Sequence, residues 1–171
     1  MKTIQLLFLL PLMGILLSAS CKKENLNALP PATTTGENTM GGYIDGKLFV
    51  SRRRDLLSTD PSITYNTVLS KLTFGGNSVL IPDGPVVGFS LEENLKQGKL
   101  ILTPGGKNSG LLTIRAASGT LIHYFSQSGY VELTRFDPNA KIFSGTFDVV
   151  FKSESGQTVH FTEGRFDLQS F

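Results

Sequence analysis

One cysteine, two histidines and a few carboxylates are the side chains of this chain whose chemistry could serve a reaction or bind a metal ion. Cys21 is the only cysteine, so the chain cannot form an internal disulfide. His123 and His160 lack the H-x-x-x-H spacing that brings two imidazoles to one metal ion. His160 alternates with Val159 and Phe161, which predicts an exposed strand position, and we expect His123 in the core or at its rim. We therefore predict no metal site and no cofactor.

Three carboxylates are close enough in the predicted sheet for two of them to form an acid–base pair. Asp148, Glu163 and Asp167 lie on neighbouring predicted strands, where two of them could approach the roughly 5 to 10 Å separation found in glycosidases. Lys152 and Arg165 are near them in the sequence, so ordinary cross-strand ion pairs are the simpler expectation. A carboxylate-based hydrolase stays an alternative, and we predict no catalytic residues.

Two loops carry weaker signals for anion binding. The segment PGGKNSG, residues 104–110, has the composition of a phosphate-binding loop, but Asn108 stands where that motif requires Ser or Thr. We interpret it as a hairpin loop. Arg52, Arg53 and Arg54 could contact lipid phosphates or an acidic partner, although a solvated loop is the simpler interpretation. The sequence contains no G-x-S-x-G motif, so it does not predict a serine catalytic triad.

The surroundings of Cys21 predict where the protein is held. Residues 1–20 contain a positive start at Lys2, an apolar stretch over 6–17 and the small residues Ser18-Ala19-Ser20, which together are typical of an export signal. That stretch is shorter than the roughly 20 residues of a bilayer span. A cysteine directly after small residues resembles the lipobox of bacterial lipoproteins, with leucine one position earlier than in its commonest form. We expect diacylglycerol on the Cys21 thiol; the alternative is an ordinary signal peptide followed by a free thiol.

The rest of the chain divides into a tether and a domain. Residues 21–42 are rich in Pro, Thr and Gly, which predicts a flexible lipidated tether, and the domain is expected over residues 43–171. Sixteen basic and 14 acidic residues leave the chain close to neutral, so we predict no nucleic-acid partner.

Apolar residues recur with a period of two from Tyr43 onward, which is typical of strands with one buried face. Asp45-Gly46 between apolar segments predicts a two-residue hairpin. Eight to ten short strands predict a single antiparallel all-β domain, either a β-sandwich or barrel-like, with at most one short helix, over residues 90–98. The register of the strands within 52–84 is not predicted. The strongest alternation places on one face Val87, Phe89, Leu91, Phe147, Val149, Phe151, Phe166 and Leu168.

The opening and closing segments carry a resemblance to a known family. LPPATTTG, residues 29–36, precedes the Asp45-Gly46 hairpin, and SGTF and TEGRF, residues 144–147 and 162–166, lie in the last strands. They resemble small lipoproteins of Gram-negative bacteria that carry a domain of unknown function. The resemblance implies an all-β lipoprotein domain, often on the outer membrane, whose opening segment is partly ordered against the sheet. It supplies no catalytic residues. Many members carry a cysteine where Gly42 stands here, so a disulfide role in those relatives does not transfer to this chain.

These predictions favour a lipid-anchored, non-enzymatic β-domain of the cell envelope that presents a binding surface. The expected partners are the membrane, through the lipid on Cys21, and an envelope protein, a polysaccharide or host material. The first alternative is a barrel that carries apolar ligands in a phenylalanine-lined cavity, and the second is the hydrolase. The expected location is the outer membrane, and the sequence does not choose between its periplasmic and surface faces.

Overall fold

Ten antiparallel strands form one curled, half-barrel sheet in the computed structural model, which describes residues 27–53, 60–93 and 95–170. This confirms the predicted all-β class and the number of strands. None of the described residues belongs to a helix long and apolar enough to cross a membrane. The strands are β1 (Thr39–Ile44), β2 (Lys47–Arg52), β3 (Ser62–Asn66), β4 (Lys71–Asn77), β5 (Val86–Leu91), β6 (Gly98–Ile101), β7 (Ser109–Arg115), β8 (Leu121–Asp137), β9 (Ile142–Ser153) and β10 (Thr158–Gln169).

The strands follow the order β2-β1-β10-β9-β8-β7-β5-β4-β3 across the sheet, and β6 pairs with β8 as well. β6 and β7 lie end to end against the long strand β8, since Leu100 pairs with Val131 and Leu112 pairs with Tyr124. The segment 102–108 therefore joins two strands that share one partner. The expectation of a hairpin loop over 104–110 was wrong, because β6 and β7 do not pair with each other.

The hairpin predicted at Asp45-Gly46 is confirmed. Ile44 pairs with Lys47, and the two turn residues have φ values of 46° and 75°. Two consecutive positive φ angles are the requirement of a type I′ turn, whose twist matches that of the flanking strands. The sequence signal is reliable here because Gly46 adopts this conformation without a Cβ penalty.

Phenylalanine rings fill the concave side of the sheet. Phe74 of β4 stacks on Phe166 of β10, with ring centroids 4.2 Å apart, and Phe89 of β5 lies 4.8 Å from Phe147 of β9. These strands are not neighbours in the sheet, so the contacts bridge its curl. The predicted inward alternation is confirmed, because every residue of that set is less than 4% exposed.

The described chain contacts the sheet well before Tyr43. β1 already begins at Thr39, and Pro30 is buried, with its carbonyl oxygen 3.3 Å from the Arg165 guanidinium. The boundary predicted between residues 42 and 43 is therefore too late, and residues 27–42 are part of the folded unit. The predicted signal segment 1–20 and Cys21 lie outside the described residues.

Two further expectations concern local structure. The short helix expected over 90–98 is not present in its described part, because Ser90 and Leu91 end β5 and Gly98 begins β6. The unassigned stretch 52–84 contains the hairpin of β3 and β4, in which Ser62 pairs with Gly75. The register of this hairpin places the side chains of Ile63, Leu72 and Phe74 in the core.

Candidate functional site

A groove of about 820 Å³ lies on the convex, outward face of β3, β4, β5, β7 and β8. The side chains that point into it alternate along each strand with buried core residues, so the groove faces solvent. We call it the outer groove. Its outward residues are Ser62, Thr64, Thr73, Gly75, Asn77, Val86, Gly88, Ser90, Ser109, Leu111 and Phe125.

One row of cross-strand neighbours runs along the outer groove. Ser62 pairs with Gly75, Gly75 with Gly88, Gly88 with Leu111, and Leu111 with Phe125. Four inter-strand spacings make this row about 19 Å long. Because two glycines occupy its centre and Leu111 and Phe125 its end, the floor is lowest on β4 and β5 and rises toward β8.

The backbone packing requires glycine at one of the two central positions and not at the other. A Cβ on Gly75 would lie 2.3 Å from the carbonyl oxygen of Val87, so the backbone packing itself requires glycine there. A Cβ on Gly88 would meet only the carbonyl oxygen of Phe74, at 3.9 Å, which is ordinary contact. Glycine inside a strand lowers stability. The backbone packing therefore does not require glycine at position 88, and the absence of a side chain there leaves the floor of the groove open.

Exposed apolar side chains line one part of the groove. Val86 is 43% exposed, Leu111 41% and Phe125 48%. Leu111 and Phe125 are cross-strand partners, and Val86 lies two positions along β5 from the residue that pairs with Leu111. A single exposed apolar residue is ordinary on a protein surface, whereas a group beside a concave floor marks a place that a ligand can cover.

The polar part of the groove consists mainly of neutral groups. Asp60 has the one charged side chain among the described residues that line it, and its carboxylate accepts the Asn77 backbone N–H at 3.0 and 3.1 Å. The hydroxyl groups of Ser62, Ser90 and Ser109 have no hydrogen-bond partner within the described part of the chain. Each can donate and accept a hydrogen bond to a ligand.

The backbone of the groove floor is already paired. β4, β5 and β7 each have a neighbouring strand on both sides. Their N–H and C=O groups are consequently used within the sheet, so a ligand above β4 and β5 is recognised by side chains and not by strand addition.

The structure places both histidines on the surface. His160 is exposed on β10, as predicted. His123 is exposed on β8, with its Nδ1 3.0 Å from Oγ1 of Thr113, so of the two expected positions, core or rim, the core is wrong. Among the described residues, no three His, Cys, Asp or Glu side chains lie close enough together to hold a metal ion.

Asp167 lies apart from the other two candidate carboxylates, whereas Asp148 lies opposite the β10 bulge that contains Glu163, since Phe147 pairs with Gly164 and Val149 with Phe161. Asp167 is four residues from Glu163 along β10, a separation of about 13 Å, which exceeds that of a glycosidase pair. Asp148 pairs with Tyr130 on β8, whereas Asp167 pairs with Ser144 near the other end of β9. The structure therefore removes Asp167 from the group, and the expected ion pairs of these carboxylates with Lys152 or Arg165 are not among the contacts that the described residues show.

Asp167 instead binds the opening segment. Its carboxylate accepts hydrogen bonds from the hydroxyls of Ser144 at 2.6 Å and Thr33 at 2.7 Å, and from the backbone N–H groups of Thr35, Gly36 and Glu37. Burial raises the pKa of this carboxyl, but the hydrogen bonds outweigh burial and hold the pKa below its ordinary value. The carboxylate is occupied by structural bonds and is only 1% exposed.

The two loops with anion-binding signals have structural roles where they are described. Asn108 is buried, and its Oδ1 accepts the backbone N–H groups of Glu92 and Glu93 at 3.0 and 3.1 Å. Arg52 is buried in β2, so the expectation of a solvated loop was wrong for it. Arg53 is exposed, and Arg54 lies outside the described residues.

Sequence reasoning did not find the outer groove. Its residues come from five strands whose pairing the sequence does not state. The signal that was available is Gly88, since it interrupts a strong alternating segment, VVGFSL, at an outward position where a β-former is expected. Cys21, the one site residue that was predicted, lies outside the described residues.

Comparison with known proteins finds no match to a family model, to a curated protein or to a solved structure.

Proposed function

We propose that the chain is a lipid-anchored, non-enzymatic binding domain of the cell envelope, whose ligand occupies the outer groove. The observation that carries this proposal is Gly88. Strand propensity favours a larger residue there and a Cβ would meet no close contact, so we attribute to Gly88 the role of keeping the groove open. A glycine that lowers the stability of a strand but keeps a surface concave is expected where a ligand binds.

The interior and the carboxylates favour this proposal over its two alternatives. Phenylalanine rings that could have lined a carrier cavity instead pack on one another, for example Phe147 on Phe161 with centroids 4.9 Å apart. The hydrolase alternative loses Asp167, whose oxygens are bound by Thr33 and Gly36 of the opening segment and by Ser144 of β9. The outer groove also lacks a described pair of carboxylates, since Asp60 is the one acid that lines it.

The anchored segment supports a position close to the membrane. Five residues, 22–26, lie between Cys21 and Asn27, and the six steps from one to the other correspond to at most about 20 Å of extended chain. From Pro30 onward the segment is fixed to the sheet, because Arg135 binds the carbonyl oxygen of Thr34 at 2.6 Å and Asp167 binds the residues around it. A lipid on Cys21 would hold the domain within that short reach of the bilayer.

Photo-crosslinking in intact cells tests the proposal. A photoreactive amino acid is placed at Leu111 in the outer groove, and at Ile101, which is 58% exposed but outside the groove, as the matched control. The full-length chain is expected to give a crosslinked product at 111 that is missing at 101 and that disappears when Gly88→Leu fills the groove. The same products at both positions, or products unchanged by Gly88→Leu, would contradict a role for the groove.

The non-enzymatic part is tested on the same product. The ligand identified from the crosslinked product is incubated with protein that carries no photoreactive amino acid. After prolonged incubation the mass of that ligand is expected to be unchanged. A ligand that is cleaved or modified in a time-dependent manner would overturn this part of the proposal.

A further inference from the structure

We infer that the ligand of the outer groove is a neutral oligosaccharide, an inference that rests on the proposed binding function. The groove combines three features in one concave surface: a nearly uncharged lining, a set of unoccupied hydroxyl groups, and an exposed aromatic ring. Each feature narrows the chemistry of the ligand.

The low charge of the described lining residues favours a neutral ligand. Asp60 is the one charged side chain among the described lining residues, and it lies at the β3 end of the groove. An anionic polymer such as a phosphate-rich or uronic acid-rich chain would meet no cation among the described lining residues, and Lys152, which pairs with Phe125, lies at the border of the row. A cationic ligand would find one carboxylate over a row about 19 Å long.

The hydroxyl groups match a ligand that both donates and accepts hydrogen bonds. Ser90 and Ser109 are cross-strand partners, and Ser62 lies two strands away from Ser90. Their hydroxyls have no partner within the described residues, so they are available to a polyol. Sugar hydroxyls have the same dual capacity, whereas a purely apolar ligand would leave these groups without hydrogen bonds.

Phe125 and Leu111 supply the apolar part that a pyranose ring needs. A sugar ring has a face of C–H groups, which packs on an aromatic ring through dispersion and through the negative charge of the ring face. Phe125 is 48% exposed and stands beside Leu111 at the high end of the row. The open floor at Gly75 and Gly88 leaves space for the neighbouring sugar units.

The pairing of the floor argues against an extended polypeptide as the occupant. A peptide gains most of its affinity in strand addition from backbone hydrogen bonds, and the floor strands β4, β5 and β7 have none to offer. An oligosaccharide depends on side-chain hydroxyls and ring stacking, which are the groups that this surface presents.

Titration of the purified full chain against defined oligosaccharides tests the inference. Probes are neutral β-glucan, α-glucan, xylan and mannan hexasaccharides, with a polygalacturonate hexamer as the charged control. We expect binding of at least one neutral hexasaccharide, no binding of the charged hexamer, loss of binding in Gly88→Leu, and a decrease of about tenfold in affinity for Phe125→Ala. Ile101→Ala is the matched control and is expected to stay within about twofold of wild type. Circular dichroism shows that each variant is folded.

The outcomes separate this inference from the proposed function. Failure of every neutral hexasaccharide to bind, while the crosslink at Leu111 still depends on Gly88, would overturn the sugar assignment and leave the binding role standing. Neutral binding that is insensitive to both Gly88→Leu and Phe125→Ala would show that the groove is not the site. Preferential binding of the charged hexamer would contradict the charge argument directly.

Discussion

The Oγ1 of Thr33 donates a 2.7 Å hydrogen bond to Oδ2 of Asp167, and this bond joins residues 134 positions apart. Asp167 occupies an outward position on β10, between the inward residues Phe166 and Leu168, yet it is buried because residues 33–37 cover it. A segment with the composition of a flexible tether is thereby fixed to the domain. One of the three carboxylates that raised the possibility of hydrolysis is the group that fixes it.

Replacement of Asp167 by Asn is expected to lower the free energy of unfolding by about 2 to 3 kcal/mol. The amide keeps the shape but loses the charge that strengthens the bonds from Thr33 and Ser144, and its NH₂ faces backbone N–H donors. Urea unfolding measures the change. Asp148→Asn is the matched control and should change the value by less than about 0.5 kcal/mol; equal effects of both variants would contradict the role given to Asp167.

The contribution of Asp167 is expected to depend on pH in a defined direction. Because the folded-state pKa of this carboxyl is below the ordinary value of 3.8, the unfolded chain binds its proton first as the pH falls. The stabilisation is therefore complete above about pH 5 and is lost as the pH falls through 3.8 toward the lower folded-state pKa. Urea unfolding of wild type and Asp167→Asn between about pH 6 and pH 3 should show two free energies that converge in acid. A constant difference would show that ionisation of Asp167 does not matter.

Gly88→Val is expected to leave stability unchanged or to raise it by up to about 1 kcal/mol. Valine favours strands, and the space above Gly88 is open. Gly75→Val in the paired position is expected to destabilise the fold, since its Cβ would lie 2.3 Å from the carbonyl oxygen of Val87. Thermal and urea unfolding distinguish the two variants. A loss of stability in Gly88→Val as large as that in Gly75→Val would mean that Gly88 is structural.

Phe161→Ala is expected to lower the free energy of unfolding by about 3 to 5 kcal/mol. Phe161 is fully buried, and its ring contacts Phe49 and Phe147 with centroid distances of 5.3 and 4.9 Å. Phe125→Ala, on the exposed face, should cost less than about 1 kcal/mol. If urea unfolding gave similar values for both, the assignment of inward and outward faces on β8 and β10 would be incorrect.

Cys21→Ala is expected to abolish incorporation of labelled palmitate and to release the protein from the membrane fraction. The reason is that the thiol after Ser18-Ala19-Ser20 is the predicted site of lipid attachment. Ser20→Gly, which keeps a small residue before the cysteine, is the control that should remain lipidated. Labelling that persists in Cys21→Ala would refute lipidation at this position.

Part of the fold follows from the order of residues alone. A period of two places Phe147, Val149 and Phe151 on one face whatever the neighbouring strands are, because successive side chains of a strand point to opposite sides. The Asp45-Gly46 turn is equally local, since two adjacent positive φ angles decide it. Predictions of this kind were confirmed because each depends on residues within a few positions of one another.

The errors came from contacts between distant residues. The composition of residues 27–42 predicted a tether. Thr33 is nevertheless fixed to the sheet, because it binds Asp167 near the other end of the chain. Asn108 looked like a loop residue, and its actual role depends on the backbone of Glu92 and Glu93. Local propensity cannot report a hydrogen bond whose partner is brought near only by strand order.

The sequence by itself determined the all-β class, a count of eight to ten strands, the inward faces and the first hairpin, and it yields the prediction that Cys21 carries a lipid. The tertiary structure alone decided that Ser62, Gly75, Gly88, Leu111 and Phe125 form one row. The physical reason is that the face of each residue is set along its own strand, whereas a groove across strands is set by their order and register. Those depend on long-range packing of the core, which no local segment encodes.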